Sequence, residues 1–425
     1  MTRRREAPAS IVPTGSTPSN GASTTATAAP RFVVHGLARR ISSGAITVEE
    51  GERHRRFGDG GPAVTVRVHD PRTYRALLRT GGRGLARSYV EGWWDCDDLT
   101  SLAQVLIRSS LGVWSLRDRI GRAASCLADP LSRLRTGPTR EESRRDIVAH
   151  YDLGNDFYAL MLDPTMSYSC AIFERPEDTL EAASVAKLDR VCTKLGLSPA
   201  DHVVEIGTGW GGFAVHAAGT YGCRVTTTTI SAEQYRAARQ RVTDAGLSDL
   251  VTVLQADYRD LEGRYDKLVS IEMIEAVDWR QLDTFFRSCS NLLRPDGLMA
   301  LQAIVIADRS YEWAKRHRDF IKEDIFPGSC LPSVGAITRS TTRATDLGII
   351  DLEDIGRHYA ETLRRWRTNV DARLDDVERL GLGPTFVRLW RLYLSYCEAA
   401  FLERHVSDVQ MVLAKPAWRS PLGVR

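Results

Sequence analysis

From residue 146 onward the chain alternates short β-branched apolar runs with longer segments of helical period. VVEIG, CRVTTTTI, VTVLQAD, KLVSIEMI and GLMALQAIVI have the length and residue types of buried strands. Between them, SAEQYRAARQRVTDAG and WRQLDTFFRSCSNLLRP space their apolar residues as amphipathic helices do. Strand–helix alternation predicts an α/β domain with a doubly wound, mostly parallel sheet whose ligand lies at the carboxyl ends of the strands. IIDLEDIG (349–356) and VQMVLAKP (409–416) supply two further strands, and the helical stretch between them forms a cover.

Upstream the pattern differs. Residues 1–30, ending STPSNGASTTATAAP, are low in complexity and predict a tail without structure. In GPAVTVRVHD (61–70), Val64, Val66 and Val68 alternate with polar neighbours as in a half-buried strand. PRTYRALLRTGG follows with helical spacing and a glycine stop, and ARSYVEGWWDCDDLTSLAQVLIRSS places Trp93 and Trp94 ahead of an Asp-rich helix start. Residues 31–115 therefore form a small α+β domain, 116–145 a linker and 146–425 the α/β domain. The linker is rich in arginine, among them Arg117, Arg119, Arg122, Arg133 and Arg135. It reads as a solvated helical connector, and alternatively as a docking surface for anionic lipid headgroups.

A formal net charge of +3 gives no argument for nucleic acid. The eight cysteines are scattered without a Cys-x-x-Cys pair, so neither a metal site nor a disulfide framework is expected, and a reducing cytoplasm is the default. No apolar stretch approaches the roughly 18–20 residues of a membrane span, and the arginines at 3–5 precede no apolar signal core. Any membrane contact is expected to be peripheral.

The densest chemical signal is VVEIGTGWGGFA (203–214). Gly207, Gly209 and Gly212 satisfy G-x-G-x-x-G, a weak signal alone. No Lys-Ser/Thr follows, which excludes a P-loop. A dinucleotide fold wants an acid at the end of the next strand, but that strand ends in Thr226–Thr229. Acids stand instead at Glu205 in the first strand and at Asp257 after the third. That distribution favours S-adenosylmethionine (SAM) over a dinucleotide, and so a Rossmann-like SAM-dependent methyltransferase. A tight turn that binds nothing is the plainer alternative.

One segment is more specific. HYDLGNDFYALMLDPTMSYSCAIFERPEDTLEAASVAKLDRV (150–191), with EIGTGWGG, SIEMIEAV, KEDIFPG and HYAETLRRW, resembles the cyclopropane-fatty-acyl-phospholipid synthases and their mycolic-acid relatives. GLARSYVEGWWDCDDL resembles that family's N-terminal lipid-associated domain. The resemblance implies methyl transfer from SAM to a cis double bond of a phospholipid acyl chain, through a carbocation that must be shielded from water and then lose a proton. It implies a bound bicarbonate as base, held by residues matching Cys170, Glu275, Ile304 (through its backbone) and Tyr359. It assigns SAM contacts to Tyr151, Tyr168, Ser169, Gly207, Gly209, Thr229, Ile230, Gln234, Asp257 and Tyr258. Each has a plainer reading: an inert thiol at Cys170, a surface acid at Glu275, packing at Tyr359 and Tyr258. Cys397 matches a family cysteine and reads as pocket wall.

Two departures matter. The family's Phe-Glu-His is Ile274–Glu275–Ala276 here, and its His-Thr-Ile is Gln302–Ala303–Ile304. Gln302 can hydrogen-bond but cannot relay a proton near neutral pH as histidine does. Relatives with this Glu-Ala and Gln-Ala pattern resemble the methyltransferases of tuberculostearic-acid synthesis, which make a 10-methylene chain. That product is expected ahead of a cyclopropane ring; a silent SAM- or lipid-binding protein is the alternative of another class. The expected partners are a phospholipid membrane surface on its cytoplasmic face and the unsaturated acyl substrate, with room for a homo-oligomer. The methylene reading alone adds a flavin- or NADPH-dependent reductase.

Overall fold

The computed structural model describes residues 25–109 and 153–419. The linker and Tyr151 therefore lie outside the described residues. A helix at Thr25–Ala38 opens inside the stretch whose composition predicts no structure. Its apolar residues Val33, Val34 and Leu37 cluster only near its end, so local composition hides it.

Four strands build the first sheet: Gly44–Glu50 (β1), Arg53–Asp59 (β2), Ala63–Val68 (β3) and Trp94–Cys96 (β4), in the order β2-β1-β3-β4. The β1–β2 hairpin is not legible in the sequence. β2 reads RHRRFGD and buries only Phe57, so no apolar alternation marks it. The helices Arg72–Thr80 and Gly82–Val90 cover the sheet, and Trp94 anchors a cluster with Tyr74, Tyr89 and Val105. The indole N–H of Trp94 donates to Ser88 Oγ at 3.0 Å, which satisfies its one polar atom.

The second sheet has seven strands: His202–Ile206 (β5), Arg224–Thr229 (β6), Val251–Gln255 (β7), Tyr265–Ile271 (β8), Leu293–Ile306 (β9), Gly348–Asp354 (β10) and Val406–Ala414 (β11). Their order is β10-β11-β9-β8-β5-β6-β7. β5 to β9 run parallel, and β11 is antiparallel to both its neighbours. The order reverses at β5, and parallel strands need crossover helices, which lie on both faces. Leu180–Leu195 and Gly212–Tyr221 pack on one face, and Leu282–Leu292 and Val334–Ala344 on the other.

The helix Leu180–Leu195 shows how sequence sets such an element. Thr179 accepts the Ala182 N–H at its start, and Gly196 ends it at φ +60°. Its buried stripe runs through Leu180, Ala183, Ser184, Leu188, Val191, Cys192 and Leu195. Lys187 sits in the same stripe, 1% exposed, a cation where the period calls for a hydrophobe.

The cover after β10 is helical as expected, in Gly356–Asp371, Leu374–Arg379 and Pro384–Leu402. The last of these joins the two sheets' units. Arg388 donates to the backbone carbonyls of Tyr89 and Trp94 at 2.7 and 2.8 Å and lies over the Tyr89 ring. Thr100 donates to Glu398 at 3.1 Å beside it.

Candidate active site

The loop after β5 is shaped for close approach. Gly207, Gly209 and Gly211 have φ of +101°, +53° and +86°, a region that costs a side-chain-bearing residue about 1–2 kcal/mol. A Cβ on Gly207 would lie 3.1 Å from Met273. Below the loop, Thr227 Oγ1 donates to Glu205 at 2.6 Å and lies 2.7 Å from the Thr208 hydroxyl. Burial pushes the Glu205 carboxyl up to about 8, only partly offset by the Thr227 hydrogen bond and the charge of Lys187. At the end of β6, Thr229 Oγ1 donates to Gln234 Oε1 at 2.9 Å, and Ile230 follows half-buried. Asp257 stands beyond β7, where it accepts the Arg259 N–H at 2.9 Å and pairs with that guanidinium at 2.6 Å. Tyr258 packs edge-on against Phe285 at 5.6 Å. Bare glycine backbone with an acid beneath it and another across the strand ends fits SAM: room for the methionine end, a carboxylate for the amines.

Next to this loop lies a second cluster, built from side chains. β8 ends at Ile271, and Glu272 takes φ +48°, a strained conformation for a residue with a Cβ. Its carboxylate accepts the Cys170 N–H at 2.8 Å, the Gln302 amide at 2.8 Å and the Tyr359 hydroxyl at 2.5 Å. Sheet register explains the rest. Gln302 lies opposite Gln410, and Ile304 opposite Asp408, so all four face one side of β9–β11. The Gln302 amide also reaches Asp408 at 3.0 Å, and Gln410 donates to Gln302 Oε1 at 3.0 Å. Glu275, one short turn further, accepts the Ile304 N–H at 2.5 Å.

Three carboxyls, Glu272, Glu275 and Asp408, thus lie together at this end of the sheet. Burial, then the charge of Glu272, raises the Glu275 carboxyl to about 8. The same causes hold Asp408 well above the usual carboxylate range. Burial therefore favours the protonated form of both. Buried Lys187 donates to Ser169 at 2.8 Å; burial lowers its pKa, against the pull of Glu272 and Asp163. Aromatic rings flank the cluster. Tyr359 stacks on Phe401 at 4.5 Å, Tyr168 lies 5.1 Å from Trp366, and the Tyr168 and Tyr393 hydroxyls meet at 2.8 Å. Such faces attract a cation held between them.

The sequence-derived residues thus fall into two adjoining groups. Gly207, Gly209, Thr229, Ile230, Gln234, Asp257 and Tyr258 line the strand ends around the loop, and Cys170, Glu275, Gln302, Ile304 and Tyr359 converge at the acids. Cys170 is fully buried, and burial with the charges of Asp408 and Glu272 drives its thiol pKa up, so its backbone N–H serves the site and its sulfur is no nucleophile. Cys397 packs against the aromatic wall, its thiol likewise pushed up by burial.

Glu272, Asp408, Gln410 and Lys187 were not singled out from sequence. Glu272 was within reach: SIEMIEAV carries two acids three residues apart at a strand's carboxyl end. So was Lys187, as the one cation in an apolar helical stripe.

A bicarbonate does not fit these residues as they stand. The Cys170 N–H and Tyr359 hydroxyl expected to hold it are engaged by Glu272, and the Ile304 N–H by Glu275. The expectation of bound bicarbonate finds no support here: side chains of the protein occupy the donors.

Residues 139–411 match the family model described as mycolic acid cyclopropane synthetase. The chain belongs to this family. It is 38% identical to the tuberculostearic acid methyltransferase UfaA1 of Mycobacterium tuberculosis over 364 residues, 83% of this chain and 84% of that one. It is 34% identical to the cyclopropane-fatty-acyl-phospholipid synthase of Escherichia coli K12 over 360 residues, 84% of this chain and 89% of that one. Among solved structures it is similar to mycolic acid cyclopropane synthase CmaA1 in complex with SAH and CTAB, with TM-score 0.60 and 30% identity over 66% of this chain and 99% of that one. The chain is accordingly a SAM-dependent methyltransferase, with the fold that strand–helix alternation predicted.

Proposed function

We propose that this enzyme transfers the SAM methyl to the cis double bond of an unsaturated phospholipid acyl chain and removes a proton to leave a 10-methylene chain. The observation that carries this reading is a buried acid cluster flanked by aromatic rings beside the cofactor loop. An alkene is a weak nucleophile and needs no base to activate it. It needs a strongly electrophilic methyl, a dry site, faces that tolerate a cation and an acceptor for one proton. SAM supplies the electrophilic methyl when bound; Gly207, Gly209, Gln234 and Asp257 would hold it.

The chain's residues do the rest. Tyr168, Tyr359, Trp366 and Tyr393 exclude water and present π faces to the charge, worth about 2 kcal/mol or more each when desolvated. Methyl transfer places the cation beside the new branch, and a hydride shift moves it onto the branched carbon. Loss of a proton from the transferred methyl then gives the exocyclic alkene. The similarity to the tuberculostearic acid methyltransferase, with Ala276 and Gln302 where the ring-forming pattern has histidines, favours this product. The second reading is the cyclopropane ring, favoured by the 34% identity to the bacterial synthase over most of both chains. Both share the first cation.

We also read the enzyme as acting peripherally at a phospholipid surface on the cytoplasmic side. No described helix is long and apolar enough to cross a membrane. Phe32, Val33 and Leu37 stand exposed on the first helix ahead of Arg39 and Arg40, an apolar patch with a basic border suited to anionic lipid. A reductase would be the consumer of the methylene product alone.

The test is incubation with SAM and dioleoyl phospholipid, followed by proton NMR of the extracted lipid. Vinylidene signals support the methylene product and upfield ring signals the cyclopropane. An unchanged lipid with SAM bound would sink both.

A further inference from the structure

We infer that Glu272 is the catalytic base, a built-in carboxylate that stands in for an external anion. The inference rests on the methyl-transfer reading and specifies who takes the proton.

The geometry of one side chain carries it. The Glu272 carboxylate gathers three donors from three separate segments: a backbone N–H in the extended stretch before the helix Leu180–Leu195, an amide on β9 and a phenol on the helix Gly356–Asp371. Those donors converge on a point, as donors do around an anion, and two of them are the ones the family resemblance assigns to bicarbonate. The two oxygens of a carboxylate offer about four lone-pair sites. These donors take three of them, and the Asp408 carboxyl hydrogen-bonds the same group. Backbone strain is a second observation. Glu272 is held at φ +48°, which a β-carbon resists, and such strain is retained where surrounding structure imposes it. Here the strain places the carboxylate at the carboxyl end of β8, between the cofactor loop and the aromatic wall. A Cβ on Gly207 in the cofactor loop would touch Met273, the residue that follows Glu272.

The surroundings suit a base that must take a proton and lose it again. Glu275 Oε2 and Gln410 Oε1 are buried without a protein partner within this cluster, and the Asp408 carboxyl hydrogen-bonds Glu272. They leave hydrogen-bonding capacity beside Glu272 for passing the proton on. The step balances simply. The alkene pair forms the new C–C bond as the methyl–sulfur bond breaks and its pair stays on sulfur. A C–H bond of the transferred methyl then breaks, its proton goes to the Glu272 carboxylate, and its pair forms the exocyclic double bond, or closes the ring.

The test compares full-length wild type, Glu272→Gln and Glu272→Gly in buffer freed of carbon dioxide, with and without added bicarbonate. Glycine relieves the strain at this position, so Glu272→Gly is expected to fold and to bind SAM. Wild type should turn over at the same rate with and without bicarbonate. Glu272→Gln should lose at least about 10²-fold in kcat with SAM affinity within about threefold, the usual worth of a general base. It should also divert product toward water-quenched methyl carbinol, which a merely structural role would not produce. Glu272→Gly should be equally impaired, regain activity with bicarbonate or formate, and bind carbon-13 bicarbonate by NMR where wild type binds none. A wild type that needs bicarbonate, or a Glu272→Gln enzyme within a few-fold of wild type, overturns the inference. If wild type leaves the lipid unmethylated, it is the methyl-transfer reading that fails, and bicarbonate binding to the two proteins still decides what occupies the donors.

Discussion

The cofactor loop after β5 and the acid cluster after β8 lie at the same end of one sheet, but they are made of different things. The loop is backbone: three glycines at positive φ and one contiguous stretch of chain. The cluster is side chain: Cys170, Glu272 and Glu275, Gln302, Tyr359 and Asp408, gathered from five separate segments. A backbone site tolerates change around it and fails when a Cβ enters. A side-chain site fails one hydrogen bond at a time. The difference suggests that binding SAM and handling the proton can be damaged independently.

The strongest way to sharpen that division, apart from Glu272 itself, is Tyr359→Phe. It removes one donor to the Glu272 carboxylate and nothing else. A hydrogen bond to a charged group is worth about 1.5–3 kcal/mol, so kcat should fall roughly 10- to 100-fold. SAM affinity, read by calorimetry, should stay within about twofold. A matching loss of SAM affinity would break the division. Gly207→Ala is the converse. A Cβ at φ +101° and 3.1 Å from Met273 should weaken SAM binding by about tenfold or more. At saturating SAM the remaining kcat should stay near wild type.

How much of this was legible in the sequence follows the same line. Glycine spacing is local and β-branched runs are local, so the loop, the parallel strands and the helical cover could be read directly, though not the strand order. The β1–β2 hairpin could not, because β2 is charged and exposed and shows no alternation. The helix at Thr25–Ala38 hid behind a low-complexity composition. Within the cluster, the motif resemblance led to Glu275 and passed over Glu272, since only register and a positive φ reveal which of the two acids meets the donors. Gln302 looked like a lesion in a proton-handling site; in the fold it bridges Glu272 and Asp408. Lys187 shows in the sequence only as a cation in an apolar helical stripe, and Asp408 becomes chemical only when its burial is known.

A smaller effect concerns stability. Glu205, in the loop region, and Glu275, in the cluster, both have pKa values raised to about 8 by burial. The unfolded chain releases these protons near pH 4.5 while the folded chain keeps them. Their contribution is therefore full below that pH and is lost as pH rises through about 8. Thermal denaturation of the apoprotein should show Tm falling from about pH 5 to pH 8. Glu205→Gln and Glu275→Gln should each flatten the slope; a slope unchanged in both would remove the assignment. Smallest of all is Cys170→Ala. The hydrogen bond to Glu272 comes from the backbone N–H, so turnover should stay within about fivefold of wild type, allowing for a small packing loss. Abolished activity in a folded variant would mean that the thiol itself takes part.

The central claim is that a proton leaves the transferred methyl and that the protein's own carboxylate removes it. The most direct measurement uses SAM with a trideuterated methyl, dioleoyl phospholipid and wild-type enzyme in bicarbonate-free buffer, with mass spectrometry of the acyl chain over time. The account predicts a chain that gains one carbon bearing two of the three deuteriums, formed at a rate that added bicarbonate does not change. Retention of all three deuteriums, or turnover only when bicarbonate is supplied, would contradict it.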